Sequence, residues 1–551
     1  MSVRRWGLSR VVVAILGVVL AVAGSAQLAA AAEPVGVVHA PIRGSGSTWS
    51  ANALQQWIRN VWANYQWRIT YSESGSTQGR NEFANGTADF GVSEIPYGIA
   101  NSNEADTAPN RRFVYMPIVA GGTAFMYNLE IGGRRVTNLR LSGENLAKIF
   151  TGLITTWNDP AIQVDNPLLA LPAIPIVPVV RSDGSGTSAQ FTTWMRQEQP
   201  ALWDAYCPRV GREFVNGHCG ITSNYPTAAG SGFIAKAGAN GVAGYVAQKA
   251  AVGSITFVEY SYALNSGFPV VKMLNGAGYY AEPTASNVAV ALLQAQINND
   301  AASQNYLTQD LSRVYADNDA RTYPLSSYSY IILPIVRESG FTDDKGLTLA
   351  AFGSYFLCEG QQQAETLGYS PLPVNLVLGA QTQIQKVPGG DPTVTNFSVA
   401  GCNNPTLDPS DPNSNALAKN APFPPECDRA GTTQCLTGTG GARDQPTQGT
   451  GGSAGPSDVA AGGTTAGGAA NTAGNAAASR DGGAAVVDGA VTLVNASPQT
   501  LPTNRPGFVP ALVLLGAAAT LLLVAVLPSL LSRRRKPVLP ALDRGSPRPT
   551  R

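Results

Sequence analysis

Three short segments of this chain carry the residue types of an oxyanion site: Gly44-Ser45-Gly46-Ser47-Thr48-Trp49, Ser74-Gly75-Ser76-Thr77-Gln78-Gly79 and Arg181-Ser182-Asp183-Gly184-Ser185-Gly186-Thr187. Each is a turn of Gly, Ser and Thr running into a helix-like stretch. Such a turn aims free backbone N–H groups, hydroxyls and the positive end of a helix dipole at an anion. Between the second and third lies Asp89-Phe90-Gly91-Val92-Ser93-Glu94. Taken singly, Thr48, Ser76 and Ser185 also read as ordinary helix caps worth about 1 kcal/mol each, and Arg181 with Asp183 reads as a surface pair. The order and spacing of the whole set carry the information.

The elements that must hold these turns are those of an α/β protein. Val114 to Ile118, Pro175 to Val180, Ser254 to Val258 and Ile331 to Val336 read as strands, and Ala51 to Tyr65, Asn145 to Phe150, Ala189 to Gln197, Ala285 to Gln296 and Leu347 to Leu357 as helices. This alternation predicts parallel sheets flanked by helices, with ligand crevices at the carboxyl ends of the strands. Trp57, Trp62 and Trp67 are expected in the core, because two of them fall in the first helix.

With 551 residues, 44% of them hydrophobic, the chain has material for a large core. Its 37 Lys and Arg balance 36 Asp and Glu, so no basic face broad enough for nucleic acid is expected. Arg4, Arg5 and Arg10 precede the apolar run Val11 to Val22, and Ala30-Ala31-Ala32 offers a cleavage site, so residues 1–32 read as a secretory signal. Six cysteines in an exported chain suggest disulfides, for which fifteen pairings exist. Sequence proximity favours Cys207 with Cys219 and Cys427 with Cys435, leaving Cys358 and Cys402. Only His39 and His218 are present and no Cys-x-x-Cys spacing occurs, so neither a metal site nor a cofactor is expected.

After Cys402 the composition turns rich in Pro, Asn and Asp, then from Gly438 to Ala485 in Gly, Ala, Thr and Ser, and residues 402–507 read as a flexible linker. Roughly 100 residues of such chain reach about 50 to 60 Å. Phe508 to Leu531 has the length and apolarity of a membrane span and ends at Arg533-Arg534-Arg535-Lys536, which places the tail 532–551 in the cytoplasm. Leu501-Pro502-Thr503 lacks the glycine of a wall-sorting signal.

The ordered motifs resemble those of the phosphate-binding proteins of bacterial high-affinity phosphate ABC transporters. The glycine-rich first turn, Asp89-Phe90-Gly91, Arg181 to Thr187 and Ser254 to Tyr260 occur in family order over about Ile42 to Val377. The resemblance implies a type II periplasmic-binding-protein fold for residues 33–401: two α/β lobes, about 35–122 with 327–399 and about 123–326, joined by a two-crossing hinge around the anion. It also implies site roles. Thr48 and Ser76 match hydroxyl contacts, Trp49 a backbone N–H donor, and Arg181 the cation paired with the anion. Ser185, Gly186 and Thr187 match a run of hydroxyl and amide donors, and Asp183 a carboxylate that holds the arginine.

Glu94 departs from the family pattern, which has aspartate after Asp-Phe-Gly-x-Ser. A carboxylate only accepts, so it would take a hydrogen bond from the proton that phosphate carries and repel fully ionised sulfate. Its extra methylene moves that acceptor about one bond further into the cavity. The function implied is extracytoplasmic capture of inorganic phosphate and delivery to ABC permease membrane subunits, from a body anchored by its C-terminal helix. A membrane-tethered oxyanion sensor or surface interaction protein is the alternative, motivated by the linker and single span. An enzyme is not expected, since neither histidine lies near the serine-rich turns to activate a nucleophile.

Overall fold

The computed structural model describes residues 38–104, 109–411 and 414–447. The signal segment 1–32, the linker beyond residue 447, the span 508–531 and the tail 532–551 lie outside the described residues. Among the described residues no helix is long and apolar enough to cross a membrane.

Strands β1 (Ile42–Gly46), β2 (Ile69–Ser72) and β3 (Phe90–Ser93) alternate with helices α1 (Ala51–Tyr65) and α2 (Ser76–Ala84). Helix α1 buries Ala51, Leu54, Trp57 and Val61 at the three-and-four spacing of a single inward face. It stops at Gln66, whose left-handed backbone returns its N–H to Trp62. Then follow β4 (Phe113–Tyr127), α3 (Gly143–Phe150), β5 (Val177–Arg181), α4 (Gly186–Glu198), β6 (Ile234–Lys236), α5 (Gly238–Val246), β7 (Ser254–Glu259), α6 (Tyr260–Ser266), α7 (Ala285–Ala291), β8 (Ser326–Pro334), α8 (Asp343–Leu357) and α9 (Val374–Ile384).

The eight strands form one sheet in the order β6-β5-β7-β4-β8-β3-β1-β2. β1 pairs parallel with β2 and β3, and β5 parallel with β6 and β7, but β4 runs antiparallel to both β7 and β8. The expected parallel pairing holds within two groups of strands, and an antiparallel pair, which the sequence reading did not include, joins them. The physical reason is that β4 carries the chain out of the first group and β8 carries it back. Residues 113–122 of β4 register against β8, while residues 123–127 register against β7.

Strand β4 also outruns the expected Val114 to Ile118. It continues through Gly121-Gly122 to Tyr127. A Cβ at Gly121 would lie 2.7 Å from the Trp49 ring, so glycine here admits a tryptophan against an unbroken strand. β8 begins at Ser326 and ends at Pro334, earlier than the expected Ile331 to Val336. The helix expected to Gln296 ends at Ala291, with a 3-10 turn over Leu292–Gln294, because Gln296 and Ile297 pair as a short strand with Asp310 and Gln309.

The largest correction concerns residues 402–411 and 414–447, read above as the start of the linker. They fold against the body. Asn404 and Thr406 donate to the Leu372 carbonyl at 2.9 and 3.0 Å, Arg140 donates to the carbonyls of Cys427 and Thr433, and Lys272 forms a buried ion pair with Asp428 at 2.6 Å. These are polar and backbone contacts with no apolar periodicity behind them, so hydropathy gives no sign of them.

All six cysteines are paired, as 207–219, 358–402 and 427–435. The Cys358–Cys402 bridge joins the end of α8 to this tail across a sequence separation of 44. Replacing both cysteines by alanine is expected to cost about 4 kcal/mol through the freed denatured chain, read as a lower midpoint in urea unfolding. Of the three tryptophans, Trp57 is fully buried, but Trp62 is 46% exposed and Trp67 stacks between Tyr65 and His39 near the surface. The core expectation holds for Trp57 only.

Candidate functional site

The predicted turns meet at the carboxyl ends of parallel strands. β1 leads into Ser47 to Ser50 and α1, β2 into Gly75 and α2, β3 into Glu94, and β5 into Ser182 to Ser185 and α4. A strand that ends at a helix start leaves the helix's first N–H groups at the sheet edge, and here several such edges face one another.

Ser76, Glu94 and Gly186 are in direct contact. Ser76 donates through its hydroxyl to Glu94 Oε2 at 2.9 Å and accepts the Gly186 N–H at 3.0 Å. Glu94 is buried and takes a second hydroxyl, from Ser329 on β8, at 2.9 Å on Oε1. Gln190 of α4 donates to the Glu94 carbonyl at 2.9 Å. Ser185 caps α4, its hydroxyl accepting the Ser188 N–H at 3.3 Å, and Thr187 is buried in the first turn of that helix.

Arg181 is buried at the end of β5 and forks onto Asp183: Nε donates to Oδ1 at 2.7 Å and Nη2 to Oδ2. Asp183 Oδ1 also accepts the Gly238 N–H at 2.8 Å. Burial pushes the Asp183 carboxyl up, but the hydrogen bonds and charge of Arg181 together with the Gly238 N–H outweigh it, and the group sits below the usual aspartate range. Gly75, with φ of 91°, packs so that a Cβ would lie 2.6 Å from Asp183 Oδ2. The second turn therefore closes directly over the arginine–aspartate pair.

Thr48 is buried and bridges the cleft: its hydroxyl accepts the Ala239 N–H at 3.2 Å and its carbonyl accepts the Tyr262 hydroxyl. The Trp49 N–H, expected to face the anion, is taken by Ser47 Oγ at 2.9 Å. Thr77 donates its N–H to the Gly184 carbonyl at 3.1 Å. Every predicted site residue thus lies within one cluster of turns, though Trp49 spends its amide locally in this arrangement.

Sequence reading missed Ser329, Tyr262 and the turn Thr222 to Asn224. Ser329 had no distinguishing signal, since Ser326, Ser327, Tyr328 and Tyr330 of the same buried strand carry hydroxyls too. Tyr262 had none. The two histidines stand apart: His39 stacks on Trp67, and His218 pairs with Asp204 at 2.7 Å. Among the described residues no group of three or more His, Cys, Asp or Glu could hold a metal ion.

Two parallel strand groups joined by an antiparallel pair, with facing turns rich in anion donors, are the architecture of the type II periplasmic-binding-protein fold. The model of the PBP superfamily domain matches residues 22–359. The chain is 32% identical over 337 residues to the phosphate-binding protein PstS of Xylella fastidiosa, covering 61% of this chain and 82% of that protein. It is 28% identical over 341 residues to the phosphate-binding protein PstS 2 of Mycobacterium tuberculosis, covering 60% and 83%. A solved structure, the ancestral soluble variant of the human phosphate binding protein, aligns with a TM-score of 0.48 at 17% identity over 65% of this chain and 98% of that one. The chain belongs to the PBP superfamily and, within it, to the family of phosphate-binding proteins.

Proposed function

We propose that this protein captures inorganic phosphate outside the cytoplasm and delivers it to a membrane ABC permease. The observation that carries this reading is the contact of Ser76, Glu94 and Gly186, drawn from three separate turns, beside the fork of buried Arg181 on half-buried Asp183. A buried dianion needs a cation and many fixed donors, and Arg181, the Gly186 and Thr187 amides and the hydroxyls of Thr48, Ser76, Ser185 and Thr187 provide that set. Glu94 supplies the acceptor for the proton of monohydrogen phosphate. The relatives, which are phosphate-binding proteins, favour uptake over sensing. Binding and release are the protein's whole chemistry in this reading; it transforms no substrate.

In this reading the lobes are about residues 35–122 with 327–399 and about 123–326. The change of β4 from partner β8 to partner β7 after Gly122, and the pairing of Gly122 with Ser326, support that boundary. Phosphate exchanges the Gly186–Ser76 bond for bonds of its own, and the closed pair of lobes is the form the permease recognises. Residues 1–32 direct export and the run Phe508 to Leu531 tethers the body to the membrane, a reading that rests on the sequence.

Calorimetric titration of the ligand-stripped chain tests the proposal. Phosphate is expected to bind with a Kd of about 1 μM or lower, with sulfate silent. Glu94→Gln, which keeps the shape and loses the charged acceptor, is expected to weaken phosphate about tenfold to a hundredfold and to narrow the gap to sulfate. A wild-type chain that ignores phosphate would overturn the reading.

A further inference from the structure

The loop after β3 contains a carboxylate that the anion site does not use. Glu104 reaches from this loop to the turn Thr222 to Asn224, which belongs to the other side of the cleft. Its Oε1 accepts the Ser223 N–H at 2.8 Å, the Thr222 hydroxyl, and the backbone and side-chain N–H of Asn224 at 3.3 Å each, while Oε2 accepts the Ser223 hydroxyl at 2.6 Å. Five donors from one tripeptide on one carboxylate make a nest built for an anion, and the first side of the cleft fills it.

That turn is in turn bonded to the phosphate donors. The Ser223 carbonyl accepts the Ser185 N–H at 2.9 Å, and Ser223 Oγ lies 3.0 Å from Thr77 Oγ1 beside Ser76. Thr222 is fixed to α4 by a reciprocal pair through Thr192 Oγ1, both at 3.0 Å. The strand of chain around Glu104 follows the same path, since the Asn101 carbonyl accepts the Ile221 N–H at 2.9 Å and Arg212 donates to Asn103 at 3.3 Å.

We infer that Glu104 is the latch of the closed cleft, a positioning residue that holds Ser185 and the start of α4 in place through the turn Thr222 to Asn224. The inference rests on the phosphate reading of the site for its functional consequence. Opening the cleft must break all five contacts together, so the latch acts on escape of the anion and leaves its entry nearly unchanged. Burial pushes the Glu104 carboxyl up, but the hydrogen bonds from Ser223, Thr222 and Asn224 bring it below the usual range, which agrees with a carboxylate held in its charged form.

The test uses the full chain in detergent, as wild type, Glu104→Ala and Glu104→Gln, with two readouts. Stopped-flow release of phosphate is expected to speed up at least about tenfold in Glu104→Ala, and less in Glu104→Gln, which keeps one acceptor, with the association rate little changed. Hydrogen exchange without phosphate is expected to rise at the amides of Ser185, Ser223 and Asn224 and to stay unchanged along β4 and β8. A folding defect would reduce the active fraction and leave the release rate of the remainder alone. Unchanged release in both variants overturns the latch. Should the wild type bind no phosphate, the reading of the site falls, and the exchange data alone decide the latch: faster exchange at the three amides upholds it, and unchanged exchange overturns it.

Discussion

Gly186→Ala is expected to weaken phosphate binding about a hundredfold or more while leaving a folded protein. A Cβ at this position would lie 2.1 Å from Glu94 Oε2 and 2.7 Å from Ser76 Oγ, both far inside contact distance. The neighbours are the ends of side chains, so they can move aside, but these side chains are the proton acceptor and a donor of the site. The substitution therefore displaces both at once and blocks the approach of an anion to the first amides of α4. A loss of about two hydrogen bonds to a charged group corresponds to roughly 3 kcal/mol or more, a hundredfold or greater weakening. Stability should fall modestly, by about 1–3 kcal/mol, because the added methyl overpacks a buried cluster and breaks the Ser76–Glu94 contact, although the backbone is not in the left-handed region and admits alanine. Calorimetry paired with thermal unfolding separates the two effects. Wild-type affinity in a folded Gly186→Ala chain would show that the anion does not enter between α4 and Glu94.

Arg181→Met is expected to weaken phosphate at least about a thousandfold, and it also harms the fold. The methionine fills the space of the arginine stem and removes the charge. Asp183, which is only partly buried, then keeps the Gly238 N–H but loses the guanidinium fork, so the cost falls below the about 3–5 kcal/mol of breaking a fully buried pair. Arg181→Lys should recover part of the binding, because it restores a point charge without the two-point geometry. The pH dependence supplies an independent check. Asp183 has a folded-state pKa below its unfolded value, so the pair's contribution is fully present above the ordinary aspartate range and is lost as pH falls through the lowered value. Melting temperatures from neutral to strongly acid pH should show that acid limb in the wild type and a shallower one in Arg181→Met. An identical limb in both chains would mean that Arg181 does not hold Asp183 in the charged form.

The sequence determined the site turns and most of the elements that carry them, because these are local. A Gly/Ser/Thr turn after a short apolar run states its own geometry: strand, free amides, helix. Helix α1 is found where its inward spacing of Ala51, Leu54, Trp57 and Val61 places it, and Ser185 caps α4 as its residue type demands. Cysteine proximity found the two short bridges, and the third followed by elimination.

What the tertiary structure decided is everything that joins distant parts of the chain. The expected strand Val114 to Ile118 runs on through Gly121-Gly122 because β8 pairs it up to Gly122 and β7 from Thr123, and a side chain at Gly121 would meet Trp49. Residues 402–411 and 414–447 look like linker by composition, yet they fold through a buried Lys272–Asp428 pair, a disulfide and side chains that satisfy backbone carbonyls. Ser329 on β8 and Tyr262 on α6 come to Glu94 and Thr48 only through the mixed sheet, and Glu104 meets the turn at Ser223 only when the two sides of the cleft face each other. The physical reason is one of range. Periodicity and turn chemistry record which face of a short segment is buried, whereas a polar contact across more than a hundred residues leaves no local pattern. Its partners are fixed by the path of the chain through β4 and β8.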